Sequence, residues 1–356
     1  MPGLQNVVAP RTSLVRKIGR APLVPTVVLI GSACAGAIYQ VIGMWNDAHR
    51  FPQKGRSVRV GNFGMNLNCS GQGTPTVVLD SGGGVPAIGW IKVQPDVAKF
   101  ARVCSYDRAG YGWSDPGPEP RTSQQIAKEL KALLDNAGEH APYIVVGHSF
   151  GGYDARVLTH LYPADVAGVV LVDPTHEDEY ARASALWPEA VRQQEKKNDE
   201  WNAKLDRIMT PIRIYLGVER LEVAMGWSDP GAPSKELRQE FLYLEQQSKS
   251  QAAFAAEDKA ETETIVQVRA AGNLGDRPLI VLTAGRPYDP DPLLTKEQME
   301  KQNDLWIHDL QAQEARLSTR GKQIIVSDSS HMIPYERPDA VISAIHEVWS
   351  ALQNAN

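Results

Sequence analysis

The chain has 356 residues, of which 42% are hydrophobic, 22% charged and 7% aromatic, with a net charge of -5. That composition supports a large buried core, and the acidic balance gives no general footing for nucleic acid. Three cysteines exclude a disulfide-rich scaffold, and no C-x-x-C or Cys/His spacing suggests zinc. No metal or organic cofactor is implied, and no fixed-period repeat is present. The charge is uneven: residues 1–56 carry seven Lys/Arg against one Asp, and the remainder is acidic.

In chain order, 1–20 is a basic segment containing Arg11, Arg16, Lys17 and Arg20. The uncharged stretch 21–45 follows, long enough to cross ~30 Å of hydrocarbon as a helix. It reads as a membrane anchor, with a cleaved signal segment and a buried core helix as the alternatives. Pro22 and Pro25 fall in its first turn, where proline is tolerated. The basic cluster favours a cytoplasmic N-terminus, and so an extracytoplasmic remainder, although Arg50, Lys54 and Arg56 reduce the bias. Residues 46–56, with Pro52 and Gly55, read as a linker.

Two short alternating runs, Ser57 to Val60 and Met65 to Cys69, predict a hairpin around Gly61 to Gly64. Thr76 to Asp80 predicts a buried strand ending in Ser81-Gly82-Gly83-Gly84, then a helix around Trp90 to Phe100 and a strand over Arg102 to Tyr106. Thr122 opens a helix with Gln125 in capping-box position. Its apolar face runs through Ile126, Leu130, Leu133 and Leu134 until Gly138. The run Tyr143-Ile-Val-Val breaks at Gly147-His148-Ser149-Phe150-Gly151, a G-x-S-x-G match between strand and helix. Such a turn lifts the Ser149 hydroxyl to the sheet's carboxyl edge, in front of a helix N-terminus that favours developing negative charge. Ser149 is therefore the candidate nucleophile.

Gly168 to Val172 predicts the next strand, ending at Asp173. From 175 to 277 the pattern is charged, Gln-rich and helical, which reads as a cap rather than a loop. Leu279 to Thr283 resumes the sheet, Glu297 to Leu317 predicts a long helix, Gln323 to Ser327 a last strand and Pro338 to Leu352 a closing helix. Strands alternating with helices at this spacing argue an α/β fold on a mostly parallel, doubly wound sheet, with a core of 57–174 and 278–356.

From Ser57 onward the chain resembles the capped, single-chain α/β-hydrolases. The resemblance rests on Leu79 to Gly84 with Trp90, Tyr106-Asp107-Arg108-Ala109-Gly110-Tyr111-Gly112-Trp113-Ser114-Asp115, Gly147 to Gly151, and Ser330-His331-Met332-Ile333-Pro334. It implies an eight-stranded sheet, helices on both faces, a helical cap after the sixth strand, and a triad in the order serine, acid, histidine. This chain departs at Ser81, where many relatives carry histidine before the glycines.

A serine hydroxyl needs a base within reach and a group that orients that base. Of eight histidines, His331 alone sits directly after the last predicted strand, where the fold presents its base. His148 adjoins the serine with its side chain expected to point elsewhere. For the acid, Asp173 at the end of its strand is the first choice, and Asp289 or Asp291, in a Pro-rich stretch after the next strand, the alternative. Phe150 and Gly83 are expected to supply the oxyanion N–H groups, with Gly84 a second option for the latter. Asp107, Arg108 and Ser114 are expected to brace a loop. In the family's strand order Cys69 and Cys104 fall on neighbouring strands, where a disulfide and two buried thiols are both open readings.

These features predict a membrane-anchored serine hydrolase of a carboxylic ester or related acyl compound, with a small-molecule acyl substrate. A lactonase, an amidase and a carbon–carbon bond hydrolase share the triad. A catalytically silent, membrane-tethered binding module shares the fold.

Overall fold

The structure, a computed structural model, describes residues 23–227, 234–287 and 292–354. Helix α1 (Leu23–Arg50) leads into the hairpin β1 (Arg56–Val60) and β2 (Phe63–Ser70). The linker expected over 46–56 is therefore shorter, because the helix runs on until Phe51-Pro52. The residue before a proline disfavours helical backbone. Asp47 and Arg50 are held in helix by partners elsewhere, Asp47 by Arg220 and Arg50 by Gln239.

Strands β3 (Thr76–Asp80), β4 (Val103–Tyr106), β5 (Tyr143–His148), β6 (Val166–Val172), β7 (Leu279–Ala284) and β8 (Gly321–Val326) complete one eight-stranded sheet in the order β1-β2-β4-β3-β5-β6-β7-β8. Only the β1–β2 and β2–β4 pairs are antiparallel. Side chains alternate between two apolar layers, as in a parallel sheet covered on both faces. In β5, Tyr143 and Val145 join one core cluster and Ile144 and Val146 the other. Cys69 and Cys104 face each other across β2 and β4 and form a disulfide.

The expected helix over Trp90 to Phe100 is instead a 3₁₀ turn, Ala87–Trp90, and the one-turn α2 (Gln94–Val97). Pro95 enters at the start of α2, and no longer helix forms around it. Helix α3 (Ser123–Ala137) starts where Thr122 accepts from the Gln125 N–H and stops at Gly138, whose φ of 77° satisfies the left-handed C-cap. The Gln125 side chain turns to Glu129 rather than back to Thr122, so half of the capping box forms.

After α4 (Gly151–Leu161) and β6, the chain leaves the sheet for six helices: α5 (Glu179–Ala185), α6 (Glu189–Tyr215), α7 (Val218–Met225), α8 (Lys235–Glu245), α9 (Ser248–Lys259) and α10 (Glu261–Ala271). It returns through β7 to α11 (Lys296–Asp304), a π-turn Leu305–Leu310, and α12 (Gln311–Ala315). The long helix expected there is thus continuous but carries a π segment. The one-turn α13 (Ile333–Glu336) and α14 (Pro338–Gln353) close the fold.

Candidate active site

At the end of β5 the chain reverses into α4 at Ser149. Among the described residues two non-glycines have positive φ, Ser149 at 52° and Asp173 at 41°. Such backbone is disfavoured for a residue with a Cβ and persists where the surroundings hold it. The Ser149 N–H donates to Val172 O at 3.1 Å, and its carbonyl accepts from Gly152 at 2.9 Å and Thr175 at 3.2 Å. The flanking glycines are required by space: a Cβ on Gly147 would stand 2.2 Å from Gly151 O, and one on Gly151 2.7 Å from Asp80 O.

One strand over, Asp173 ends β6 and is buried. One carboxylate oxygen accepts from Ala284 N at 2.9 Å and Trp306 Nε1 at 3.3 Å. The other lies 2.7 Å from His331 Nδ1. A carboxylate only accepts, so Nδ1 carries the proton, and in the neutral ring the lone pair is then on Nε2. The His331 side chain is 39% exposed, so Nε2 has room for a reacting group. Glu336 pins the loop, accepting from Ser330 N at 2.8 Å and Ser329 Oγ at 3.2 Å. Asp289 and Asp291 lie outside the described residues.

His148 does not point away from the site. Its Nε2 donates to the carbonyl of His331 at 2.9 Å, and the two rings lie 4.8 Å apart. Burial, then the neighbouring His331, pushes its pKa down to about 4. It is thus neutral near pH 7, and no second cation stands beside His331. Its place next to the serine was legible, but a side chain at a strand end can face either layer, and only the folded turn decides which.

The turn after β3 is built for close approach. A Cβ on Gly82 would stand 3.2 Å from both Ser149 Cβ and His148 Nδ1. Ser81, the departure from the family pattern, donates its hydroxyl to Pro86 O at 3.4 Å. Gly84 has φ of 75°, and the Tyr111 hydroxyl beneath the turn donates to Glu257 at 2.8 Å. Neither Gly83 nor Phe150 donates any of the described turn hydrogen bonds. A Cβ on Gly83 would come 3.9 Å from Phe150 Cβ, so the two residues adjoin.

Beneath this turn the buried Arg108 guanidinium donates to Ser81 O at 2.5 Å, Gly82 O at 2.8 Å, Asp80 Oδ1 at 3.1 Å and Glu257 Oε1 at 3.0 Å. Arg108 therefore braces the loop, as do Asp107, which accepts from Ala87 N and Trp113 N, and Ser114, which donates to Asp107 O. Asp80, Asp154 and Glu257 surround this one cation. Burial pushes Asp80 up to about 6 and Asp154 well above the usual carboxylate range. Glu257 belongs to α9, so the same network ties cap to loop. The cap also brings Phe254, 50% exposed, within 3.6 Å of where a Gly83 Cβ would lie. Glu179 at the start of α5 is pushed up to about 7 by burial and then by the charge of Asp173. No sequence signal marked Trp306 or Phe254 as neighbours of the site, since each arrives from a segment far along the chain.

Two groups of side chains bring potential metal-ligating atoms close together. Cys69, Cys104 and Glu139 include the disulfide sulfurs. His176, Glu177 and Glu314 surround Arg156, which donates to Glu177 at 2.6 Å and Glu314 at 2.7 Å and supplies the balancing charge itself.

Comparison with known proteins agrees with this architecture. The chain is 32% identical over 153 residues to a Hormonema carpetanum protein named "Probable transporter efuK", covering 41% of this chain and 22% of that protein. It is 31% identical over 129 residues to 2-hydroxymuconate semialdehyde hydrolase of Pseudomonas sp. strain CF600, covering 36% and 46%. An uncharacterized vacuolar membrane protein of Saccharomyces cerevisiae is 34% identical over 108 residues, covering 29% and 17%. The matches thus span less than half the length of these relatives. The epoxide hydrolase CorEH superposes with a TM-score of 0.57 at 16% identity, over 83% of this chain and 98% of that one. An esterase from Thermogutta terrifontis does so with a TM-score of 0.52 at 19% identity, over 83% and 98%. At these identities the likeness speaks to the fold alone. A family model covers residues 77–344, from β3 through the elbow and cap into α14, and with it the chain belongs to the alpha/beta hydrolase family.

Proposed function

We propose that the protein is a serine hydrolase of carboxylic esters or related acyl compounds, with Ser149 as nucleophile, His331 as base and Asp173 as the orienting acid. The observation that carries this reading is the 2.7 Å contact of His331 Nδ1 with Asp173, from two strand ends beside the strained elbow of Ser149. In this mechanism His331 Nε2 takes the Ser149 proton as Oγ attacks the acyl carbon. The Gly83 and Phe150 N–H groups receive the oxyanion, and each such donor is worth ~10²- to 10³-fold in rate. His331 then protonates the departing alcohol, and water deacylates the enzyme through the same nitrogen. Buried Asp173 stabilises the imidazolium without taking its proton.

The test is fluorophosphonate labelling of the full chain, with hydrolysis of p-nitrophenyl esters across acyl lengths. The label is expected on Ser149, and Ser149→Ala is expected to abolish both readouts. Turnover that survives Ser149→Ala overturns the mechanism. A chain inert to both label and esters moves the reading to a silent binding module. The relative that hydrolyses 2-hydroxymuconate semialdehyde favours carbon–carbon hydrolysis as the second reading. That compound belongs in the same assay, and turnover of it with no ester hydrolysis selects the second reading.

We also propose that α1 is a retained anchor and that the catalytic domain lies outside the cytoplasm. An 18-residue window within Pro25–Arg50 has a mean hydropathy of 1.8 and is 6% buried. Its contacts with Arg220 and Gln246 of the cap favour retention over cleavage, and the disulfide suits an oxidising compartment. Intact mass of the membrane-bound protein decides: a species beginning beyond residue 37 overturns retention.

A further inference from the structure

Helix α6 carries Trp201, Leu205, Ile208, Met209, Ile212 and Tyr215 on one face, at i, i+4, i+7, i+8, i+11 and i+14. These side chains are 67, 44, 61, 39, 44 and 67% exposed, and Ile214 is the helix's one buried residue. On the next helix Leu221 and Met225 are 48% and 55% exposed. Among the described residues nothing covers this apolar stripe, and such patches mark an interaction surface.

The junction of α6 and α7 rests on α1. A Cβ on Gly36 would stand 2.4 Å from Leu216 O, and Gly217 packs against Tyr39 and the Gly36 carbonyl. Further along, Arg220 donates to Gln40 Oε1 at 3.0 Å and to Asp47 Oδ2 at 2.5 Å. Hydrocarbon takes up about 20 residues of a spanning helix. Counted from Leu23, it ends near Ile42, so the Gly36 and Tyr39 contacts fall inside it and the Arg220–Asp47 pair at its boundary. Elsewhere on α1, Ile38 and Val41 are 60% and 68% exposed, so the anchor helix and the arm packed on it both present uncovered apolar side chains. Exposed Lys204 and Arg207 flank the stripe, with stems long enough to carry their charge back to the headgroups.

Resting on the reading of α1 as an anchor, we propose that the α6–α7 arm of the cap lies in the bilayer interface, with its apolar face against lipid acyl chains. The arm is the kind of amphipathic element that lies along a membrane rather than through it. Helix α8 couples this contact to the site. Arg50 of α1 donates to Gln239 at 2.7 Å, and Leu237, Phe241 and Leu244 pack with Ile88 and Tyr335 beside Met332, the neighbour of His331.

The experiment uses the full chain with Cys34→Ser, which removes the one free cysteine among the described residues, reconstituted in phosphatidylcholine/phosphatidylglycerol vesicles. Ile208→Cys and, on the opposite face, Asp199→Cys are each labelled with an environment-sensitive fluorophore. The label at 208 is expected to be quenched by spin-labelled lipid and to have a several-fold lower iodide quenching constant than the label at 199. Equal iodide access at both positions, in protein that resists carbonate extraction, overturns the interfacial arm and leaves the anchor standing. Chain-to-chain crosslinking through position 208 overturns it in favour of self-association. Release by carbonate removes the anchor reading and this inference with it.

Discussion

Helices α3 and α6 are written in the same pattern and meet opposite fates. In α3 the stripe Ile126, Leu130, Leu133 and Leu134 is fully buried against the sheet, each side chain contributing about 1.5–3 kcal/mol. In α6 the stripe from Trp201 to Tyr215 stays exposed. Amphipathic spacing therefore specifies a helix with a face to cover but not what covers it. For α3 the cover is the protein's own core. Among the described residues α6 packs on α7 and, at one end, on α1. The contrast holds within the cap as well: α10 buries Val268 in the main core, whereas α6 leaves its apolar stripe exposed.

The comparison breaks first at the core's candidate site. Asp173→Asn is expected to lower kcat for a p-nitrophenyl ester by about 10³- to 10⁴-fold, because an amide no longer fixes the His331 tautomer. Asp289→Asn is expected to leave the rate within about twofold, since the Asp173 carboxylate already holds His331 Nδ1. The reverse ranking in a steady-state assay would exchange their roles.

The next largest effect falls where cap and core are joined. Arg108→Met strips Asp80, Asp154 and Glu257 of their cation in a fully buried setting. Breaking such a network is expected to destabilise the protein by about 3–5 kcal/mol. A thermal melt that does not move would show that the cap is held elsewhere.

A smaller effect separates buried from exposed titration. His148 binds its proton with a pKa of about 4 in the fold against 6.5 for a free imidazole. Between those values the unfolded chain holds more protons, so stability falls as the pH drops from 6.5 to 4. The loss amounts to roughly 3 kcal/mol. His148→Gln keeps a donor for the His331 carbonyl and removes the titration. Urea unfolding at pH 7.5 and 4.5 is expected to show a shallower acid dependence in the variant, and identical slopes would count against the buried neutral imidazole.

The smallest effect sharpens the contrast from the cap's side. Ile208→Asp in detergent is expected to change stability by no more than about 0.5 kcal/mol, since its neighbourhood is open. Turnover of a water-soluble ester should be unchanged. A large loss of detergent-phase stability would mean that this face is covered by protein after all.

Local chemistry was legible. Thr122 and Gly138 mark the ends of α3 to the residue, because caps act within one turn. The elbow at Ser149 was legible from glycine spacing, since a Cβ at Gly147 or Gly151 would collide with backbone already nearby in sequence or in the adjoining turn. Strand positions followed from unbroken apolar runs, which a parallel sheet buries on both faces. Legibility failed where two distant pieces had to meet. Apolar spacing over Trp90 to Phe100 predicts one helix, whereas the chain turns between the 3₁₀ turn that ends at Trp90 and the one-turn α2.

The sequence by itself determined the alternation of strand and helix, the elbow, the cap's helical character and the apolar segment that became α1, all written in patterns a few residues long. Tertiary structure decided that Asp173 faces His331, that His148 donates to the His331 carbonyl, that Arg108 gathers three carboxylates under the glycine turn, and that α1 packs on the cap through Gly36. Each of those is a contact between segments far apart in the chain. Such contacts depend on strand order and layer, which no local spacing encodes.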